Sequence, residues 1–295
     1  MYRTWVILRH TFKEAILQPI YPLLLGLGSA IVVIFGLLPF FTLGEDTVMF
    51  RSVALDVILL FVLISTLFAT SKSIFEEIED RTMLTLMSKP VSRWEVLLGK
   101  YLGIILAAAL AVLVLGIVTG LATWWRIPND YMISTRSIDD RDVRNLAGYR
   151  YMHLMGLLPE LILKWLQISV LAAVGVALST RVSLVVNLPV VIFIYIAGNL
   201  TRFLYPLDDA SLPTQMLAWV VSTILPYLEI FDLSGATVYR KIAVAQFATD
   251  PTAVSLGAIW TYMLAAVAYA MTYVAFALGV GMWWFRNREL GGGEG

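Results

Sequence analysis

The sequence predicts an all-α membrane protein with six transmembrane helices, an amphipathic surface helix before the first, and a surface or re-entrant helix before the last. Three observations predict it. Hydrophobic residues make up 59% of the chain and charged residues 14%, against roughly 45–50% and about 25% in soluble domains. The charges are spaced to leave long uncharged windows, several near the ~20 residues a helix needs to cross a hydrocarbon core of about 30 Å. Trp94, Trp124, Trp125, Trp283 and Trp284 fall at or near the ends of those windows, where indole rings favour the interface. The whole chain, 1–295, reads as one transmembrane domain.

Residues 1–20 are too charged for a cleaved leader. Arg3, Arg9, Lys13 and Glu14 interrupt Trp5, Val6, Ile7, Leu8, Phe12, Ile16 and Leu17, a pattern suited to a helix lying in the membrane surface. Pro19 and Pro22 should end it and turn the chain into the first span. That span is the uncharged window 23–43, and the second is 57–71, extending back to 53 if Asp56 lies at the surface. The third is 101–125. Windows 165–180 and 182–201 are separated only by Arg181, so spans four and five should form a tight hairpin. The window 251–285 would be roughly 50 Å long as one helix, enough for one span with helix to spare but not for two.

Two connections are long, 126–156 and 206–250. The first alternates Asp130, Asp139, Asp140 and Asp142 with basic residues, as expected of a small polar cap outside the bilayer. The second contains an uncharged stretch, 210–228, with Pro213 and Pro226 near its ends and Glu229 and Asp232 just beyond. A surface or re-entrant helix fits it better than a seventh span, which would carry Arg286 and Arg288 to the outside.

Basic residues near span ends set orientation. Arg3, Arg9 and Lys13, then Lys72, Arg81, Lys89, Arg93 and Lys100, then Arg286 and Arg288 share one side in a six-span topology, which places both termini in the cytoplasm of a multi-pass cell-membrane protein. Arg126, Arg136, Arg141, Arg144, Arg150, Arg240 and Lys241 on the opposite side weaken the bias. The 21 basic and 21 acidic residues cancel, leaving no basic field for nucleic acid. With no cysteine, and with His10 and His153 far apart in sequence, thiolate and histidine-pair metal sites are not expected. No G-x-S-x-G, H-E-x-x-H or intramembrane aspartate pair supplies hydrolase chemistry.

The most distinctive segment is the inner connection 72–100, KSIFEEIEDRTMLTLMSKPVSRWEVLLGK. Lys72 and Glu76, and Glu77 and Arg81, have the i,i+4 spacing of helical ion pairs. Pro90 breaks that helix, and Ser92 with Glu95 three residues later spells a capping box for the next. On spacing alone the segment reads equally as a solvated loop. Glu160 and Lys164, one turn apart, suggest an interfacial ion pair. Thr119, Gln167, Asn187 and Asn199 are polar within spans and could line a translocation path, although interhelical hydrogen bonding is their more frequent use.

The run EIEDRTMLTLMSKPVSRWEVLLGKYLG resembles the inner connection of type-two ABC exporter permeases, where an acidic stretch and a Thr precede a Pro-x-Ser-Arg turn and Gly-Lys enters the third span. The matching residues are Glu77, Glu79, Thr82, Pro90, Ser92, Arg93, Gly99 and Lys100. Arg81 stands where family members commonly have glycine. The architecture is also similar, and Phe231-Asp232-Leu233 resembles the branch of gliding-motility and copper-processing permeases. The resemblance implies a permease that exports substrate as a dimer, homomeric or with a related chain. It implies a separate ATPase that carries ATP and magnesium and docks on this connection, with Glu76, Glu77, Glu79, Asp80, Arg81, Thr82, Pro90, Ser92, Arg93, Gly99 and Lys100 as coupling residues.

In agreement with that division of labour, the chain has no G-x-x-x-x-G-K-[ST] phosphate loop. Tyr101 follows Gly99-Lys100, and Trp94 stands at the first glycine position. The chain is therefore expected to be a transport subunit and not an enzyme. Two other classes compete, a membrane anchor that recruits a partner through 126–156 and an ion-coupled carrier that transports without ATP.

Overall fold

The computed structural model describes residues 2–38, 46–80, 92–134, 140–200, 225–234 and 255–286. Among them the fold is wholly helical. Helix α1 covers Tyr2–Leu17, α2 Ile20–Leu37 and α3 Asp46–Thr70. A π-helical turn, Ser71–Glu76, and a last α-turn, Glu77–Glu79, prolong α3. Helix α4 covers Arg93–Ser134, α5 Asp140–Ser179, α6 Leu184–Leu200 and α7 Leu256–Arg286. Among the described residues five helices are long and apolar enough to cross a membrane, and α6 is a shorter apolar helix. Its 17 residues reach roughly 26 Å, slightly less than the hydrocarbon core.

Proline chemistry makes the first corner as the sequence predicts. Helix α1 stops at Leu17, and Pro22 sits in the first turn of α2, where a missing N–H costs nothing. The expected hairpin between spans four and five is also present, closed by the Arg181 and Val182 amides on the Leu178 carbonyl at 2.8 and 2.9 Å.

The long helices differ most from expectation. The sequence suggests a polar cap over 126–156, yet α4 continues to Ser134 and α5 starts at Asp140. Both spans are helical prolongations there, and 135–139 lie outside the described residues. Uncharged windows underestimate a helix whose charged turns remain helical outside the apolar layer. The second span likewise begins well before residue 53, because Arg51 and Asp56 lie within α3.

Helix α5 is central, flanked by α3, α4 and α7, while α2 and α7 expose broad apolar faces. One apolar cluster joins α1, α3, α4, α5 and α7 around Ile104, Leu115, Ile168, Val176 and Phe285. A second joins α3, α5, α6 and α7 around Leu67, Leu163, Val170 and Val191. Aromatic side chains with polar tips cross-link the bundle. Tyr21 donates to the Ala107 carbonyl (3.0 Å), Trp165 to Ile105 (3.2 Å) and Tyr101 to Ser169 (3.1 Å). These helix carbonyls have a second lone pair to offer, and hydrocarbon supplies no competing partner.

The segment before α7 plugs into the second cluster. Leu228–Phe231 form a 3-10 turn with Leu228 and Phe231 fully buried. The Tyr227 amide donates to the Tyr269 hydroxyl (2.7 Å), and the Tyr262 hydroxyl donates to the Ile230 carbonyl (2.9 Å). Tyr269 lies thirteen residues into α7, roughly 20 Å along its axis, so this turn is wedged among the helices. Residues 210–224 of the stretch expected to form a surface or re-entrant helix lie outside the described residues.

Contacts between distant ends define two faces of the bundle. Helix α1, the ends of the 72–100 connection, the α5–α6 hairpin and the end of α7 meet on one face, here called basal. With the shorter apolar helix α6 counted as a crossing beside the five long ones, the described helices return to the face from which they start. On the opposite, distal face, Arg126 donates from Nη1 to the carbonyls of Phe35, Gly36 and Leu38 (3.1, 3.0 and 2.8 Å) and lies 5.7 Å above the Phe50 ring. These are the orphan carbonyls at the end of α2, and a cation there also opposes the helix dipole. Arg126→Ala should lower stability by about 2 kcal/mol, read as an earlier thermal unfolding transition in nanodiscs.

Candidate functional site

The basal face gathers the described part of the motif. The helix after Pro90 starts as its sequence predicts. The Ser92 amide donates to Glu95 Oε2 (3.0 Å), the Glu95 amide donates to Ser92 Oγ (3.2 Å), and the Ser92 hydroxyl lies 3.1 Å from the same carboxylate oxygen. Two orphan donors are thus satisfied reciprocally, which fixes the first turn of α4.

Gly99 and Gly103 follow on the face of α4 that receives α1. A Cβ on Gly99 would stand 2.9 Å from Ile7 Cβ, and one on Gly103 would stand 2.7 Å from the Leu8 carbonyl. The two backbones pack where no side chain fits. Gly99, which the resemblance assigns to coupling, is here a helix-packing residue that seats the surface helix on the third span.

Lys100 is 3% exposed. Its ammonium donates to the Ser73 carbonyl, lies 3.1 Å from Ser73 Oγ, and pairs with Glu77 Oε1 at 2.7 Å. An ammonium has three donors and no acceptor, so this trio matches it and offsets much of the cost of burying the charge. The acceptors belong to the π-helical turn Ser71–Glu76 and the turn after it. A π-turn widens the helix, and such turns are frequent at functional sites. The Lys72–Glu76 pair expected from α-helical spacing does not form among the described residues, because both side chains lie exposed on this wider turn. Glu76, Glu79 and Asp80 are exposed and form an acidic edge where the described part of the connection ends. Arg81, Thr82 and Pro90 lie outside the described residues.

Arg93 turns into the bundle. Its Nη1 donates to the carbonyls of Phe285 (2.7 Å) and Arg286 (3.1 Å), and its guanidinium lies 5.4 Å from the Phe285 ring centroid. Arg181, on the α5–α6 hairpin, donates to the neighbouring Trp284 carbonyl (3.1 Å). Sequence reading ranked Arg93 by its motif, but its target, 192 residues away, leaves no local signal.

Three of the four polar residues considered for a translocation path have hydrogen-bond partners on their own or a neighbouring helix. Thr119 and Asn199 bond back to carbonyls of their own helices, Leu115 (2.9 Å) and Tyr195 (2.8 Å). Asn187 ties α6 to α5 through the Gly175 carbonyl (3.1 Å) and Ser179 Oγ (2.8 Å). Gln167 is buried on α5. A different polar group stands nearer the distal end. Arg51, 1% exposed, lies with Nη1 3.0 Å from His153 Nδ1, and the fully buried Glu160 acts on it electrostatically. Arginine has no acceptor, so His153 must accept through Nδ1 and carry its proton on Nε2.

Lys164 faces Asp56 on α3 at 3.9 Å. The i,i+4 pair expected between Glu160 and Lys164 is therefore replaced by separate attractions to α3, since interhelical partners outcompete a neighbour on the same helix. Sequence reading named Glu160 and Lys164 but did not join them to Arg51 and His153, although 153, 160 and 164 share one helical stripe, which is a readable sign.

The chain matches the family described as ABC-2 family transporter protein over residues 30–290. No curated protein matches it. The matched region includes the inner connection and every helix except α1 and the start of α2.

Proposed function

The chain belongs to the ABC-2 transporter family and is a transmembrane permease subunit of an ABC transporter; on that premise we propose that it exports its substrate with ATP hydrolysed by a separate ATPase docked on the basal face. The observation that carries this reading is the anchoring of the 72–100 connection at both ends. Lys100 binds the π-turn where the connection leaves α3, and Arg93 binds α7 where it enters α4. A segment held this way passes a push to three spans as rigid-body motion instead of absorbing it. The basal face is then cytoplasmic, with α1 at the membrane surface, and two permease chains, identical or related, pair in the assembly. The exposed Glu76, Glu79 and Asp80 are the acidic residues offered to the ATPase.

The test is co-expression with a candidate ABC ATPase subunit. The two should co-purify, and the complex in proteoliposomes should transport only with ATP. Reversing the charges at Glu76, Glu79 and Asp80 should weaken association by about tenfold or more, since each lost charge pair at a docking surface costs about 1 kcal/mol. Transport by the chain alone would overturn the proposal in favour of an ion-coupled carrier.

A further inference from the structure

We infer that Arg93 is a positioning residue for transport, holding the end of the last span to the start of the third so that α7 follows every movement of the inner connection. The inference rests on the proposed ATP-driven function and gives Arg93 a role directed into the permease and away from the ATPase. The last carbonyls of a helix have no intrahelical donor, and the negative end of its dipole attracts cations. At the basal end of α7, three successive carbonyls are held by two arginines from different elements, Trp284 by Arg181 and Phe285 and Arg286 by Arg93. The Phe285 ring under the Arg93 guanidinium is 1% exposed and belongs to the same cluster as Val96 and Leu97 on the next turn of α4. One turn earlier on α7, a Cβ on Gly281 would stand 2.8 Å from the Ala177 Cα. The end of α7 is thus fixed to α4 by Arg93 and to α5 by close packing and Arg181.

Location separates this clamp from ordinary helix capping. Arg93 is the first residue of α4, inside a turn made rigid by the Ser92–Glu95 capping box. Force arriving through the connection therefore reaches the clamp with almost no intervening chain. Helix α7 is peripheral, with most of its membrane-facing length exposed, so its basal end is where α4 can direct it. Arg126 shows the contrast, capping α2 on the distal face, away from the connection.

The natural absence of cysteine allows spin labels at Trp94→Cys and Trp283→Cys, both exposed positions, in the full complex with its ATPase in nanodiscs. With Arg93 present, the two labels should give one narrow distance distribution, unchanged by magnesium-ATP. Arg93→Ala should still co-purify with the ATPase, but the distribution should broaden and become nucleotide-dependent, and transport per ATP should fall about tenfold. Arg93→Lys, which can reach one carbonyl in place of two, should fall between them and serves if the alanine variant folds poorly. Arg181→Ala should loosen the same label pair. A narrow distribution with normal transport in Arg93→Ala overturns the inference. Loss of ATPase association does so too, by making Arg93 a docking contact. If the unaltered chain neither binds the ATPase nor transports with ATP, the functional proposal itself fails, which the unaltered complex reveals before any variant is made.

Discussion

Lys100→Met should destabilise the protein by about 2–4 kcal/mol and uncouple ATP hydrolysis from transport. Methionine keeps the length and apolar stem of lysine, so packing against α3 changes little. What disappears is the charge that three acceptors converge on, the Ser73 carbonyl, the Ser73 hydroxyl and Glu77 Oε1. Glu77 then keeps a carboxylate only about a quarter exposed with its countercharge gone, and the π-turn loses the donor on its outward-leaning carbonyl. Lys100→Arg should rescue poorly, because a planar fork cannot present three donors to acceptors clustered about one point. Glu77→Leu combined with Lys100→Met should be less damaging than Lys100→Met alone, since an apolar pair is tolerated where half of an ionic pair is not. Thermal unfolding of these three variants and of Glu77→Leu alone in nanodiscs, with transport per ATP measured in parallel, decides the matter. If the double variant is the sum of the two singles within about 0.5 kcal/mol, the lysine and glutamate act independently and the latch is refuted.

This latch shows what sequence could and could not supply. That Lys100 belongs to a motif was legible, because Gly-Lys at the entry to the third span is part of the run that carries the resemblance. So were the capping box at Ser92 and Glu95, the proline corner before α2 and the hairpin at Arg181, since each is set by residues within a few positions of one another. The π-turn was not legible. Serine and lysine spacing over 71–76 suits an α-helix equally well, and the wider turn is held partly by a lysine from another helix. Arg93 stood out by its motif, Arg126 only as a charge bearing on orientation, and Arg181 only as the break between two uncharged windows. Each proves to be a clamp on the end of another helix, a role fixed by tertiary neighbours. The same fact explains the weak charge bias across the membrane, because Arg126 is occupied in capping and does not report which side it faces.

Removing one member of the buried group near the distal end should have the other large effect. Arg51 is almost wholly enclosed and is accompanied by neutral His153 at 3.0 Å and by the buried Glu160. Glu160→Gln preserves shape while deleting the negative charge that acts on the Arg51 cation in a low-dielectric interior. A loss of about 3–5 kcal/mol is expected, read as a lower unfolding midpoint. Arg51→Met should cost a similar amount, by removing a cation that acts on the buried Glu160 carboxylate and the donor to His153 Nδ1. Arg51→Met with Glu160→Leu removes both charges together, so its cost should fall well below the sum of the singles. Asp56→Asn is the contrasting case. Its side chain is 68% exposed and its contact with the buried Lys164 is a loose 3.9 Å, so its loss should cost clearly less than that of the enclosed Glu160. Equal losses for Asp56→Asn and Glu160→Gln would refute the burial argument. A Glu160→Gln variant that transports poorly at unchanged stability would move the group from holding α3 against α5 to acting on the substrate.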